Sequence, residues 1–175
     1  TDDLNLPVKS KDFFLTSNQI IEKDQDSSNT VKLFITLDSH HDQNNWSLKN
    51  YITIISKIIQ HNVKIFINFS PSKLYFLDQI PKKIINSNKI KFTHNKNILE
   101  IMNIINSCTF VIGNETGPIC LGASLKKEVH SIYLPIHTKP ESQIIGNNTY
   151  FYNAEEEDNE TIINKITNSI LKSLL

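Results

Sequence analysis

Short apolar segments alternate, from residue 31 onward, with longer segments whose apolar residues recur at every third or fourth position. The short segments are rich in Ile, Val and Phe, which is typical of buried strands, whereas the recurrence is typical of amphipathic helices. We predict strands at residues 31–37, 63–69, 90–92, 109–112 and 129–134, with a sixth, very short strand at 150–152. We predict helices at 48–59, 72–79, 98–106, 116–125 and 158–174.

This alternation predicts an α/β fold: a Rossmann-like parallel sheet in three layers, with helices on both faces. The 175 residues suffice for one domain with a full core, which we place at 31–175 behind a polar linker and entry segment at 1–30. Sheets of this kind bind ligands beyond the carboxyl ends of their strands. The loops predicted at that edge are 38–46, 68–72, 113–118 and 135–146.

Three signals mark the ends of the predicted helices. Ser47 is a typical N-cap, and Asn97 with Glu100 has the spacing of a capping box for the helix that follows. Pro81 is predicted to end the helix before it, because proline interrupts the helical hydrogen-bond pattern.

The most informative candidate site is the turn between the fourth strand and the next helix. A helix that starts directly after a strand directs N–H groups and the positive end of its dipole at the sheet edge, which favours a phosphate or carboxylate. Gly117 would allow a ligand close to the backbone, and Pro118 suits the first helical position. Glu115 and Thr116 precede them, and Glu115 could meet a hydroxyl or a sugar beside the anion. An ordinary turn with a favourable helix start is the alternative interpretation.

Charge and cysteine content exclude several classes of function. The chain has 18 Lys and Arg against 18 Asp and Glu, so no basic excess exists to bind nucleic acid non-specifically. No apolar run approaches the roughly 18 residues of a membrane-spanning helix. Cys108 and Cys120 are predicted to be buried thiols in a reducing compartment, rather than a disulfide framework or a catalytic nucleophile.

Three other positions have side chains that often carry function. His40, His41 and Asp42 could ligate a metal, but adjacent histidines on a loop usually point apart into solvent, so no metal is expected. Trp46 is expected to cover the core, with stacking on a nucleotide base as the alternative. His130 lies in an apolar strand and is expected to be structural.

A resemblance to a known family appears in residues 97–125, which have the sequence NILEIMNIINSCTFVIGNETGPICLGASL. This segment resembles glycosyltransferase family 9, the lipopolysaccharide heptosyltransferases, where a leucine-x-glutamate-leucine helix precedes the motif valine-x-asparagine-aspartate-serine/threonine-glycine-proline-methionine-histidine-leucine-alanine-alanine. Two further segments match in order. NWSLKNY at 45–51 resembles the family's lysine-x-tryptophan-proline loop, and IYLP at 132–135 with TKP at 138–140 resembles its phenylalanine/tyrosine-glycine-proline-threonine-x-proline segment.

The resemblance implies a GT-B fold, in which two Rossmann-like domains face a cleft, and this chain matches the C-terminal, donor-binding half. It implies substrate-binding roles for Ser39, His40, Asn44, Glu115, Thr116, Gly117 and Pro118. The last three would hold the donor diphosphate, and Glu115 replaces the family's aspartate beside the sugar. Ser39 and His40 would help to bind phosphate in the loop after the first strand.

Besides Glu115, three positions depart from the family pattern. Asn44 stands where the family often has a lysine that neutralises phosphate, and a neutral amide cannot replace that cation. Cys120 replaces the usual histidine and Ile119 the usual methionine.

The resemblance therefore implies the donor-binding domain of a metal-independent, inverting glycosyltransferase that acts in lipopolysaccharide or surface glycan synthesis and needs no cofactor. The donor would be a nucleotide-diphosphate sugar, with ADP-heptose as the family default. A glycolipid or oligosaccharide acceptor and the catalytic base would belong to an N-terminal domain that this chain lacks. A cytoplasmic location is expected, with peripheral contact at the inner membrane left open.

Two alternatives remain at this point. The departures at Asn44 and Cys120 favour a non-catalytic Rossmann-like binding or scaffold module, derived from a transferase. The fold alone also leaves open half of a GT-B-type sugar-nucleotide epimerase, because one fold hosts many functions.

Overall fold

A computed structural model describes residues 30–39, 45–134 and 148–175. The strands are β1 (Val31–Thr36), β2 (Val63–Asn68), β3 (Ile90–Phe92), β4 (Phe110–Asn114), β5 (Glu128–Tyr133) and β6 (Thr149–Asn153). The helices are α1 (Leu48–Ile58), α2 (Phe76–Gln79), α3 (Lys82–Ile85), α4 (Ile98–Ser107), α5 (Gly117–Ser124) and α6 (Asn159–Lys172), with a 3₁₀ turn at Pro71–Lys73. The predicted linker at 1–30 lies almost entirely outside the described residues.

The six strands form one sheet in the order β3-β2-β1-β4-β5-β6, and all five neighbouring pairs are parallel. The predicted α/β Rossmann-like fold is confirmed. The chain builds the sheet outward from β1 in one direction and then returns to place β4 on the other side of β1. This reversal makes the β1–β4 pair the topological switch point, where sheets of this kind form a crevice.

Two apolar layers cover the sheet because successive strand side chains point to opposite faces. On one face, Leu33 and Ile35 of β1 pack in a cluster with α1 and α6. On the other face, Phe34 of β1 and Val111 of β4 pack with α4 and α5. The central strands are therefore buried on both sides, which explains their nearly continuous apolar sequence.

The prediction that Pro81 ends the preceding helix is confirmed, because α2 ends at Gln79, whereas the extent of that helix was predicted wrongly. A single helix was expected at 72–79, but the structure divides it into the 3₁₀ turn and α2, and a further helix, α3, begins directly after Pro81. Pro81 occupies the N-cap position of α3. Proline ends one helix and starts the next, because its fixed φ suits the first turn and its missing N–H costs nothing there.

The other helix signals had different outcomes. The capping box of α4 is confirmed: Asn97 Oδ1 accepts from the Glu100 N–H at 3.0 Å, and a Glu100 oxygen accepts from the Asn97 N–H at 2.9 Å. Ser47 does occupy the N-cap position of α1, but its side chain makes no capping hydrogen bond within the described segments. β4 continues two residues beyond the prediction, because Gly113 and Asn114 pair with β5.

None of the helices in the described ranges combines the length and apolar character that a membrane crossing requires.

Candidate functional site

The site develops at the carboxyl ends of β1 and β4, the two strands of the switch point. α1 follows β1 and packs on one face of the sheet, while α5 follows β4 and packs on the other. Both helices therefore begin at the same edge and flank one crevice. Their N-terminal dipole ends favour negative charge in that crevice.

The turn into α5 is open to solvent at its backbone. Thr116 is the N-cap in an extended conformation, with φ −144° and ψ 171°, and its Oγ1 is shielded from solvent without a hydrogen-bond partner among the described residues. Gly117 is exposed, and a Cβ built there would meet no described atom within 4 Å. Pro118 is the second rather than the first helical residue, because α5 begins at Gly117.

Glu115 stands immediately before this turn and is half-buried. Its Oε1 is shielded from solvent and has no hydrogen-bond partner within residues 30–39, 45–134 and 148–175. Burial raises the pKa of the Glu115 carboxyl above its usual value. A desolvated carboxylate oxygen without a donor is poised to accept a hydrogen bond from a hydroxyl group of a ligand.

The raised pKa of Glu115 makes the stability of the domain depend on pH. Because the folded state holds this proton more tightly than the unfolded state, the free energy of unfolding falls as pH rises through the raised pKa. We expect Glu115→Gln to be stabilised relative to the wild type near pH 7, but not at about pH 4, where the wild-type carboxyl is protonated. Urea unfolding at both pH values measures this. The exposed Glu156→Gln serves as the control, and an equal effect at both pH values would contradict the prediction.

Asn114, the last residue of β4, is a central residue of the site that the sequence analysis did not single out. It is 1% exposed. Its Oδ1 accepts from the Trp46 backbone N–H at 3.1 Å and from the Tyr51 hydroxyl at 2.8 Å. Its Nδ2 lies 3.4 Å from the carbonyl oxygen of Ile132. Two sequence signals marked it: a polar residue at the end of an apolar strand, and the asparagine that precedes the acidic position of the family motif.

The loop after β1 is described at its two ends. Ser39 donates its backbone N–H to Asn45 Oδ1 at 2.5 Å. Asp38 is buried and accepts from both the backbone N–H and the hydroxyl of Ser70. His40, His41, Asp42 and Asn44 lie outside the described residues, so their predicted roles stay predictions. Ser39 is thus placed at the same sheet edge as the α5 turn.

Trp46 and the cysteines differ in outcome. Trp46 is buried, its Nε1 donates to Asn159 Oδ1 at 2.6 Å, and it therefore covers the core as expected.

Cys108 is buried as predicted, but Cys120 is exposed, which contradicts its prediction. The reason is that α5 buries the face with Ile119 and Ala123, and Cys120 lies outside that face. Partial desolvation and the nearby Glu115 raise the pKa of the Cys120 thiol.

A cavity of about 1060 Å³ lies away from the crevice, between β5, β6 and α6. His130 lines it but is itself 1% exposed. Its Nδ1 lies 2.8 Å from the Tyr152 hydroxyl and its Nε2 3.2 Å from Glu128 Oε1, which agrees with a structural role. Within the described ranges, no three His, Cys, Asp or Glu side chains are grouped as metal ligands.

The sequence pattern of glycosyltransferase family 9 (heptosyltransferase) matches residues 1–169. This chain belongs to that family. No curated protein sequence matches the chain. The family match includes the β4–α5 turn, so the resemblance drawn from residues 97–125 is confirmed.

Solved structures of similar fold include ADP-heptose lps heptosyltransferase II of E. coli, at 12% identity and a TM-score of 0.67 over 83% of this chain and 48% of that one. E. coli heptosyltransferase WaaC with ADP has 16% identity and a TM-score of 0.64 over 83% and 45%. UDP-GlcNAc 2-epimerase from Methanocaldococcus jannaschii has 16% identity and a TM-score of 0.58 over 85% and 40%. The chain thus spans about half the length of these proteins. At such identities the likeness concerns the fold, and the family match separates this chain from the epimerases.

Proposed function

We propose that this chain is the donor-binding half of a glycosyltransferase and holds a nucleotide-diphosphate sugar in the crevice between β1 and β4. The observation that carries the proposal is the β4–α5 turn. There Glu115 Oε1 and Thr116 Oγ1 are shielded from solvent without partners among the described residues, beside the exposed backbone of Gly117. Unsatisfied polar atoms at a helix N-terminus, at a switch point, are the expected features of a ligand site.

The two unpartnered oxygens suit different parts of such a donor. The Thr116 hydroxyl can donate to a phosphate oxygen, and the N-terminal end of α5 adds a favourable dipole. The Glu115 carboxylate repels phosphate and instead suits the hydroxyl groups of the sugar. We therefore assign the diphosphate to Thr116, Gly117 and Pro118, and the sugar to Glu115. Ser39, His40 and Asn44 would contribute from the β1–α1 loop.

The reaction we propose is displacement at the anomeric carbon of the donor sugar. An acceptor hydroxyl forms the new glycosidic bond and loses its proton to a base, while the bond to the diphosphate breaks and the nucleoside diphosphate leaves. The α5 turn would stabilise the charge that develops on this leaving group. The base and the glycolipid or oligosaccharide acceptor would be provided by the remainder of the enzyme, in lipopolysaccharide or surface glycan synthesis. ADP-heptose is the donor that the family favours.

A non-catalytic nucleotide-binding or scaffold module is the second candidate. The neutral Asn44 at the family's lysine position favours it, because an uncompensated diphosphate binds weakly. Nucleotide affinity separates the two functions.

Calorimetric titration of the chain with ADP, UDP, GDP and their sugar conjugates tests the proposal. We expect saturable binding of one nucleoside diphosphate, at least about tenfold tighter than its nucleoside, since the diphosphate makes the contacts with α5. Equal affinity for the diphosphate and the nucleoside would contradict the assignment of the turn. Absence of binding at millimolar concentrations would reject the donor site in this chain, and would leave the family membership unchanged.

A further inference from the structure

We propose that Asn114 is a positioning residue, whose side chain holds the start of α1 and the end of β5 in register with the β4–α5 turn. This inference rests on the proposed function, because it concerns how the donor crevice keeps its shape. Asn114 itself points into the protein, and we assign it no contact with the ligand. It acts through the elements that its amide group connects.

The amide group of Asn114 forms hydrogen bonds through both its oxygen and its nitrogen. Its oxygen accepts from two donors, the Trp46 N–H at 3.1 Å and the Tyr51 hydroxyl at 2.8 Å, and its nitrogen lies 3.4 Å from the Ile132 carbonyl oxygen. Burial raises the pKa of Tyr51 far above its usual value, so the hydroxyl keeps the proton that it donates. An amide group suits this position because it supplies an acceptor on its oxygen and donors on its nitrogen at the same time.

These hydrogen bonds connect Asn114 to two parts of the chain that are far apart in sequence, the start of α1 with Trp46 and Tyr51, and β5 with Ile132. Trp46 lies two residues before the first residue of α1, and Tyr51 is the fourth residue of that helix. Trp46 is held further by the bond from its Nε1 to Asn159 at the start of α6, and by edge-on packing against Tyr51 with ring centroids 5.1 Å apart. All three side chains of this cluster, Trp46, Tyr51 and Asn114, are at most 3% exposed.

The cluster affects the shape of the crevice because Asn114 is followed directly in the chain by Glu115, the first residue of the β4–α5 turn. A change at the Asn114 side chain would release the start of α1 on one side of the crevice and shift the α5 turn on the other. Burial makes this costly, since the Trp46 N–H and the Tyr51 hydroxyl would lose their acceptor in a place without access to water. A binding site whose walls shift by about 1 Å can lose up to about a hundredfold in function.

Asn114→Ala removes the whole connection, and Tyr51→Phe removes one hydrogen bond while keeping the ring. The matched control is Thr93→Val, because Thr93 is also buried and its hydroxyl donates to Asn68 Oδ1 at 3.1 Å at the same sheet edge, away from the crevice. Nucleotide affinity by calorimetry, stability by urea unfolding and amide hydrogen exchange at Trp46 are measured for each variant.

We expect the Kd of the bound nucleoside diphosphate to rise about tenfold in Asn114→Ala and about threefold in Tyr51→Phe, and to stay within about twofold in Thr93→Val. Exchange of the Trp46 amide should quicken in Asn114→Ala beyond any change in global stability. If Asn114→Ala does not fold, Tyr51→Phe carries the test. Wild-type affinity in a folded Asn114→Ala or in Tyr51→Phe would overturn the inference, as would equal losses in Thr93→Val. Absence of binding by the wild type would reject the donor site, whereas Trp46 exchange still reports on the connection itself.

Discussion

Gly117→Val is expected to abolish detectable nucleotide binding, with at least about a hundredfold loss of affinity, while the domain stays folded. The structure makes this separation of binding from folding achievable. A Cβ at Gly117 meets no described atom within 4 Å, and no described glycine has a positive φ, so an L side chain is accommodated. The added isopropyl group would instead occupy the space above the N-terminus of α5, where we place the diphosphate.

The measurement pairs calorimetric titration with urea unfolding. Gly117→Ala provides a graded variant with a smaller obstruction and should bind with intermediate affinity. Ile98→Val, an exposed residue at the first position of α4, places the same side chain at an equivalent helix position and should leave both properties unchanged. Wild-type affinity in Gly117→Val would show that the ligand lies elsewhere.

Gly113→Ala is expected to lower the free energy of unfolding of the domain by about 3 kcal/mol or more. This loss is large, because the whole free energy of unfolding of a typical domain is only roughly 5–15 kcal/mol. A Cβ at Gly113 would lie 2.2 Å from Thr36 Cγ2 and 2.7 Å from the Thr36 carbonyl oxygen. Gly113 and Thr36 pair across β1 and β4, so relief of this overlap would require the two central strands to separate.

Two further variants test the cause of that loss by urea unfolding. Thr36→Ser deletes the methyl group but leaves the carbonyl oxygen, and should recover part of the stability in the double variant. Gly122→Ala should cost less, because the atoms nearest to its Cβ belong to the Val111 side chain, at 2.9 to 3.1 Å, rather than to a backbone carbonyl. Alanine also adds about 1 kcal/mol of helix propensity over glycine there. Near wild-type stability of Gly113→Ala would mean that β1 and β4 lie farther apart than described.

The sequence predicted the sheet well because its strands are buried on both faces. Residues such as Leu33, Phe34 and Ile35 must all be apolar in that setting, which leaves a continuous signal. The capping box of Asn97 and Glu100 was equally legible, since both of its hydrogen bonds join residues three positions apart. Local chemistry of this kind does not depend on the rest of the fold.

The features that the sequence did not predict depend on distant partners or on orientation. Asn114 bonds with Trp46, which lies 68 positions earlier in the chain, and nothing local to Asn114 indicates that partner. Cys120 lies in α5, whose apolar residues surround most of a short helix, so periodicity could not tell the buried face from the exposed one. Pro81 both follows the end of one helix and precedes the start of another, and its local sequence predicts only the first of these.

The strand order also has a consequence for how this domain acquires its crevice during folding. β1, β2 and β3 can associate as soon as the first half of the chain collapses. Leu33 of β1 can pair with Phe110 of β4 only when the long intervening segment closes into one large loop, which costs entropy. Such a non-local contact forms slowly. The crevice would therefore be among the last parts of the molecule to mature, and a ligand that touches both β1 and β4 would bind only chains that have completed this step. The rate at which refolding chains regain nucleotide binding would therefore report the pairing of β1 with β4. The helical circular dichroism signal would appear earlier and report a different step.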